Sequence, residues 1–191
     1  MKTKNDSNFS GMLGESATVR KVRGQLVVKN KPRRQLGRAG APPKDPGKLE
    51  AARARFLEAS QYARQQTSVS QSADLYAKGI TDRKRTAYLV AMVDYMIAPK
   101  VHSIDTLGYR GSIGDLISVK ATDDFMVTNV KVVITDSSGA LIEEGDAGPD
   151  ALRVNLWAYK ASAANATLPG TKIQAVAYDR PGNTGTAEIV L

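Results

Sequence analysis

Between residues 49 and 63 apolar side chains return every three or four positions: Leu49, Ala52, Phe56, Ala59 and Ala63, with Lys48, Arg53, Arg55 and Arg64 around the remaining turn. That spacing lays the apolar set on one face of an α-helix. Asp45 before Pro46 marks its start, an acceptor for free N–H groups followed by a residue with no donor to waste. The helix is expected to end near Gln66. Ala73, Leu75, Tyr76 and Ala77 predict a short second helix stopped by Gly79. A third, capped by Thr81 or Asp82, carries the stripe Ala87, Tyr88, Ala91, Met92, Tyr95 and Met96 and is closed by Pro99. From Lys100 the period drops to two. Ile117, Val119 and Ala121 alternate with polar neighbours, as do Val130, Val132 and Ile134. The runs Leu156, Ala158, Lys160, then Ile173, Ala175, Ala177, and finally Ala187, Ile189, Leu191 follow the same rule. Asp136-Ser137-Ser138-Gly139 reads as the turn of a hairpin between Val130–Thr135 and Ala140–Glu144. Six or seven short strands of this spacing predict a β-sandwich with Trp157 as a large core residue.

The first 46 residues follow neither period. Gly at 11, 14, 24, 37 and 40 and Pro at 32, 42, 43 and 46 resist any long element. Within them Val19, Val22, Leu26, Val27 and Val28 flank Arg23-Gly24-Gln25, which predicts a tight turn between two short strands. An isolated hairpin is marginal in water, so this one is expected to order on a partner. Gln35 to Pro43 reads as an extended linker.

Charge sharpens the division. Residues 1–66 hold 15 Lys+Arg and 5 Asp+Glu, a net +10, whereas residues 67–191 hold 12 and 14, a net −2. The basic excess therefore belongs to an arm, and it favours a polyanionic or acidic partner surface. The attachment residues this implies are Arg20, Lys21, Arg23, Lys29, Lys31, Arg33, Arg34 and Arg38. With no Cys and a single His, disulfides, thiolate sites and His-rich metal centres are excluded. No apolar stretch approaches the ~18–20 residues of a membrane helix, and the polar, basic N-terminus lacks the apolar region of a classical signal peptide.

Ala121-Thr122-Asp123-Asp124-Phe125-Met126-Val127, then Val130-Lys131-Val132, the Trp157 strand, and Ala175-Val176-Ala177-Tyr178-Asp179-Arg180-Pro181-Gly182-Asn183 together resemble the bacterial immunoglobulin-like domains of repeat and surface proteins. The likeness covers residues 101–191. The order of parts over the whole chain is similar to small structural proteins of phages and phage-derived particles, which implies a cytoplasmic or particle-borne location. The expected fold is α+β in three parts: an extended basic arm over 1–46 able to form a β-hairpin, a helical region over 47–99, and an immunoglobulin-like β-sandwich over 100–191.

Candidate chemistry is sparse. Asp123-Asp124 and Glu143-Glu144 are adjacent on extended chain, so the members of each pair point to opposite faces and do not converge on one substrate. His102, with Ser103 and Asp105 nearby, lies on one extended segment, which does not make a triad. Gly108 to Gly114 lacks the Lys-Ser/Thr of a phosphate loop and reads as a turn-rich lead-in to the sandwich. Asp123, Asp124, Asp179 and Asn183 offer oxygens of the kind calcium prefers at one end of the sandwich, but these residue types also cap turns, and that reading is favoured. No catalytic residue, metal site or cofactor is assigned. The expectation is a non-enzymatic structural or assembly protein, homo-oligomeric or part of a larger assembly. Its arm docks on neighbouring subunits or a polyanion, and its sandwich is a rigid outward module. The alternatives are a nucleic-acid-binding protein using the arm for sequence-independent phosphate contacts, and a surface or carbohydrate-binding module.

Overall fold

The computed structural model describes residues 11–13, 17–22, 25–30 and 45–191. The chain divides into two compact units at Gly47 and Lys48. In the first, β1 (Gly11–Leu13), β2 (Ala17–Val22) and β3 (Gln25–Asn30) form an antiparallel sheet in that order. Val22 stands opposite Gln25, so two residues join β2 to β3, the spacing of a tight hairpin. Arg20 and Lys21 fall in β2 and Lys29 in β3. Arg23, Lys31, Arg33, Arg34 and Arg38 lie outside the described residues.

The second unit begins within the first turn of α1 (Pro46–Ser68), which α2 (Ser70–Ala77) and α3 (Ala87–Met96) follow. The hydroxyls of Thr67 and Ser68 bond back to the carbonyls of Ala63 and Gln65, at 2.8 and 2.7 Å, where α1 ends. The third helix starts later than the sequence suggests. Thr81 is spent on a local turn, its amide donating to the Lys84 carbonyl and its hydroxyl accepting from the Lys84 amide. Thr86 caps α3 instead, its hydroxyl accepting from the Leu89 amide at 3.2 Å. Ala63, Tyr76, Val90 and Ala91 form a small buried cluster with Tyr62, Tyr88 and Met92 against it. Phe125, from the turn between two sandwich strands, stacks on Tyr76 with ring centroids 4.7 Å apart. Gly79 leaves room for this contact, because a Cβ there would lie 2.9 Å from the Phe125 ring and 2.8 Å from Val90.

Seven strands make the sandwich: β4 (Lys100–Asp105), β5 (Leu116–Thr122), β6 (Val127–Thr135), β7 (Leu141–Pro149), β8 (Leu156–Lys160), β9 (Lys172–Asp179) and β10 (Thr184–Val190). All pairings are antiparallel, in the order β10–β9–β6–β7–β8–β5–β4. β7 passes between the layers: residues up to Ala147 pair with β6, whereas Gly148 and Pro149 pair with β8. The two ends of the order meet, because β10 lies alongside β4. Gly185 permits this approach, since a Cβ on it would fall 1.8 Å from the Pro99 carbonyl oxygen. The period-two residues fill the interior. Ile117, Val119, Val130, Val132, Ile134 and Ile173 are fully buried, each contributing roughly 1.5–3 kcal/mol relative to exposure. In β8 the inward residues are Trp157 and Tyr159, while Leu156 and Ala158 are half-buried and Lys160 is exposed. The expected hairpin turn is present: one Asp136 oxygen accepts from the Ser138 and Ala140 amides at 2.8 and 2.9 Å, and Gly139 takes the left-handed conformation at φ 86°. No helix among the described residues is long and apolar enough to cross a membrane.

Candidate functional site

Where α3 meets one end of the sandwich, three carboxylates converge. Asp94 comes from the last turn of α3, Asp123 from the turn after β5 and Asp179 from the end of β9; one oxygen of each lies within 4.8 Å of the other two. Asp94 is fully buried and Asp179 nearly so, at 0% and 4% exposed. Most of the surrounding hydrogen bonds hold the carboxylates still. Asp94 Oδ2 accepts from the Tyr76 hydroxyl at 2.6 Å, and Tyr76 is itself bonded to the Tyr62 hydroxyl at 2.7 Å. Asp123 Oδ2 accepts from the Phe125 and Met126 amides, both at 2.9 Å. Asp179 Oδ1 accepts from the Gly182 and Asn183 amides, and its Oδ2 from Asn183 Nδ2 at 2.7 Å. Asn183 Nδ2 also donates to the Tyr95 carbonyl at 3.2 Å, tying the β9–β10 turn to α3.

Two oxygens in this nest, Asp94 Oδ1 and Asp123 Oδ1, are buried and have no hydrogen-bond partner. None of the three carboxylates forms an ion pair among the described residues. The Arg180 guanidinium, next in sequence to Asp179, is engaged elsewhere: it donates to Ser72 Oγ at 2.6 Å and lies over the Tyr76 ring at 5.6 Å. Burial pushes the Asp94 carboxyl up to about 7; the Tyr76 bond opposes this, and the Asp123 and Asp179 charges add to it. Burial likewise raises Asp179 against the bonds from Asn183 and Gly182. Tyr76 is driven well above the ordinary phenol range, first by burial and then by its bond to Asp94. Crowded, desolvated carboxylates of this kind are relieved by taking up a proton or a cation.

Of the four oxygen-bearing residues the sequence singled out here, Asp123, Asp179 and Asn183 come together. Each of the two aspartates also caps its own turn, so both readings of them describe the same residues. Asp124 turns away and pairs with Lys84 at 2.7 Å. Asp94, the most buried member, was not singled out. Its signal was a carboxylate on the same helical face as Ala87 and Ala91. His102 Nε2 meets Thr122 Oγ1 at 2.6 Å, while Asp105 accepts from the Leu107 amide, so these residues do not gather. Glu143 and Glu144 diverge as expected: Glu143 is buried against Tyr159 and Ser162, and Glu144 pairs with Lys131 at 2.9 Å on the surface.

A second feature lies on α1. Ala59 and Ala63 of its apolar seam are buried, but Leu49, Phe56 and Leu57 are 37, 54 and 58% exposed. Ala52, Arg53, Phe56, Leu57, Ser60 and Arg64 line a shallow groove along this half of the helix.

No protein-family model matches the chain, and no curated protein matches its sequence. Among solved structures, CopC from Methylosinus trichosporium OB3b is similar over 47% of this chain and 87% of its own, at 13% identity and a TM-score of 0.35. A tetra-tandem repeat in the extending region of a large adhesion protein is similar over 49% of this chain at 21% identity and a TM-score of 0.30, and the match spans only 22% of that protein. At these scores neither likeness bears on activity or partners.

Proposed function

We propose that the chain is a non-catalytic assembly protein whose copies dock on one another, with the basic N-terminal arm as a further attachment to neighbouring subunits or a polyanion. The observation that carries this reading is the uncovered half of the α1 seam, where Leu49 and Phe56 stand exposed in line with the buried Ala59 and Ala63, with Leu57 exposed beside Phe56. Surface apolar patches of this kind mark interaction sites. The occupant is a second copy of this chain. Arg53 and Arg64 border the groove, and the chain supplies the complementary charge itself, with a net −2 over residues 67–191 against +10 over residues 1–66. Such a basic end meeting a mildly acidic body favours head-to-tail association. We further propose that the sandwich is of the immunoglobulin-like type and serves as a rigid outward module. The placement of β4, β5 and β8 in one layer and β10, β9 and β6 in the other supports this.

Sedimentation of the full chain over a range of concentrations tests the reading. Species heavier than one chain are expected, and the double substitution Phe56→Asp and Leu57→Asp is expected to return them to monomer while leaving the circular dichroism unchanged. A monomer at every concentration overturns the reading. So does an assembly that forms only when nucleic acid co-sediments, which favours the phosphate-binding alternative.

A further inference from the structure

We propose that the carboxylate nest formed by Asp94, Asp123 and Asp179 is a calcium site that fastens the helical layer to the end of the sandwich. The inference is independent of whether the chain assembles. Its foundation is the pair of orphaned acceptors. Asp94 is 0% exposed and its Oδ1 has no partner, one oxygen of Asp94 lies within 4.8 Å of one from each of Asp123 and Asp179, and Asp123 Oδ1 is buried and unpartnered in the same nest. Buried acceptors in folded proteins are nearly always satisfied. A proton shared between two of the carboxylates would leave two negative charges in the nest, whereas a divalent cation bound to all three leaves one.

The geometry selects among cations. No side of the oxygen triangle exceeds 4.8 Å, so a single point lies within about 2.8 Å of all three atoms, the longest side divided by √3. Calcium takes oxygens at ~2.3–2.6 Å in flexible arrangements, and a contraction of a few tenths of an ångström brings the three into range. Magnesium requires ~2.0–2.1 Å and near-octahedral geometry, a far larger movement for carboxylates already pinned by the Tyr76 hydroxyl and by four backbone amides. Those bonds preorganise the site: Asp94 and Asp123 each commit one oxygen to the scaffold and keep the other for the ion. Asp94 is therefore a monodentate ligand. The side of Asp123, which is only half-buried, is where water completes the coordination shell. The ligands come from three elements far apart in sequence, so filling the site ties α3 to the β5–β6 and β9–β10 turns at once.

The test uses the full chain, stripped with chelator and titrated with calcium chloride by calorimetry. A parallel titration with terbium reads luminescence sensitised through Tyr76, whose hydroxyl lies 2.6 Å from Asp94. One calcium per chain is expected, displacing terbium, with magnesium binding much more weakly. At a calcium concentration 100 times the Kd, the ratio of folded to unfolded chain is expected to rise about 100-fold, seen as an increase in Tm. Asp94→Asn and, separately, Asp123→Asn should each abolish the stoichiometric heat and the terbium signal. Asp123 is the more exposed of the two and its variant keeps the test usable if Asp94→Asn does not fold. Absence of calcium heat and of any Tm shift up to about 10 mM, beyond the weak end of known calcium modules, overturns the proposal. Binding that survives both substitutions overturns it too, because the ion then sits elsewhere. A chain that ignores calcium but gains stability in Asp94→Asn shows that the nest holds a proton, which also overturns it.

Discussion

Glu143 offers a demanding test of the sandwich interior. Its side chain is 7% exposed, and a single oxygen, Oε2, accepts four hydrogen bonds: from the Tyr159 hydroxyl at 2.9 Å, the Ser162 amide and hydroxyl, both at 2.7 Å, and the Ala163 amide at 3.1 Å. The carboxylate thus links β7 to β8 and to the loop that follows it. Glu143→Gln preserves volume and leaves an acceptor in place but removes the charge. A bond to a charged group is worth about 1 kcal/mol more than a neutral one, and four bonds converging on one atom are not additive, so the loss is about 2–3 kcal/mol. The new amide nitrogen gives no relief. It replaces Oε1, which is buried without a partner, and so becomes an unsatisfied donor.

The pH dependence separates this account from simple disruption of packing. Burial pushes the Glu143 carboxyl up, but the bonds from Ser162, Tyr159 and Ala163 outweigh it and leave the group below its ordinary value of 4.5. A carboxyl depressed in the folded state contributes stability that is present above its unfolded pKa and is lost as pH falls through the folded one. The gap between wild type and Glu143→Gln, measured by urea unfolding, should therefore be full at about pH 7 and shrink below about pH 4.5. Tyr159, raised to about 12 by burial and by its bond to Glu143, stays a donor throughout. A gap below about 0.5 kcal/mol at neutral pH, or one that persists undiminished in acid, would refute the reasoning.

Two further substitutions probe the same fold. Trp157→Ala should cost about 3–5 kcal/mol by chemical denaturation, because the indole is 9% exposed within the main core cluster; a loss below about 1 kcal/mol would mean that it does not fill that core. Gly185→Ala should destabilise by about 3 kcal/mol or more, since its Cβ would meet the Pro99 carbonyl, a backbone atom that cannot swing aside; a neutral effect on Tm would show that β10 and β4 do not close as described.

Period two located β5, β6, β8, β9 and β10, because alternate burial leaves a direct imprint: Val130, Val132 and Ile134 are inward with polar or half-buried residues between them, whereas β4, whose register shifts between Val101 and Ser103, left no such run. The period failed to orient β8. Leu156, Trp157, Ala158 and Tyr159 are apolar at every position, so the pattern carries no parity, and the larger area of the two aromatic rings decides which face is buried. The α1 seam shows a different gap. Leu49 to Ala63 has one period throughout, which specifies a helix, but period does not say how far along a helix the covering layer reaches. That layer stops at Ala59, and the half beyond it became the strongest argument for association.

The carboxylate nest was half legible for a reason rooted in how sites are assembled. Asp123 and Asp179 sit in turns whose local amides they cap, and such chemistry is visible within a window of a few residues. Asp94 belongs to a helix whose other buried residues are Val90 and Ala91. In a scan for apolar stripes a single carboxylate on that face counts as noise, yet a charge there is the costly exception that burial permits only with a compensating partner. Tyr76 supplies part of that compensation at 2.6 Å, from a helix 18 residues earlier in the chain. The rest must come from whatever satisfies Oδ1, a question raised by the three-dimensional convergence and not by any local motif. An acidic residue at the centre of an otherwise apolar helical face is therefore the sequence signal to weigh when turn-capping aspartates lie elsewhere in the chain.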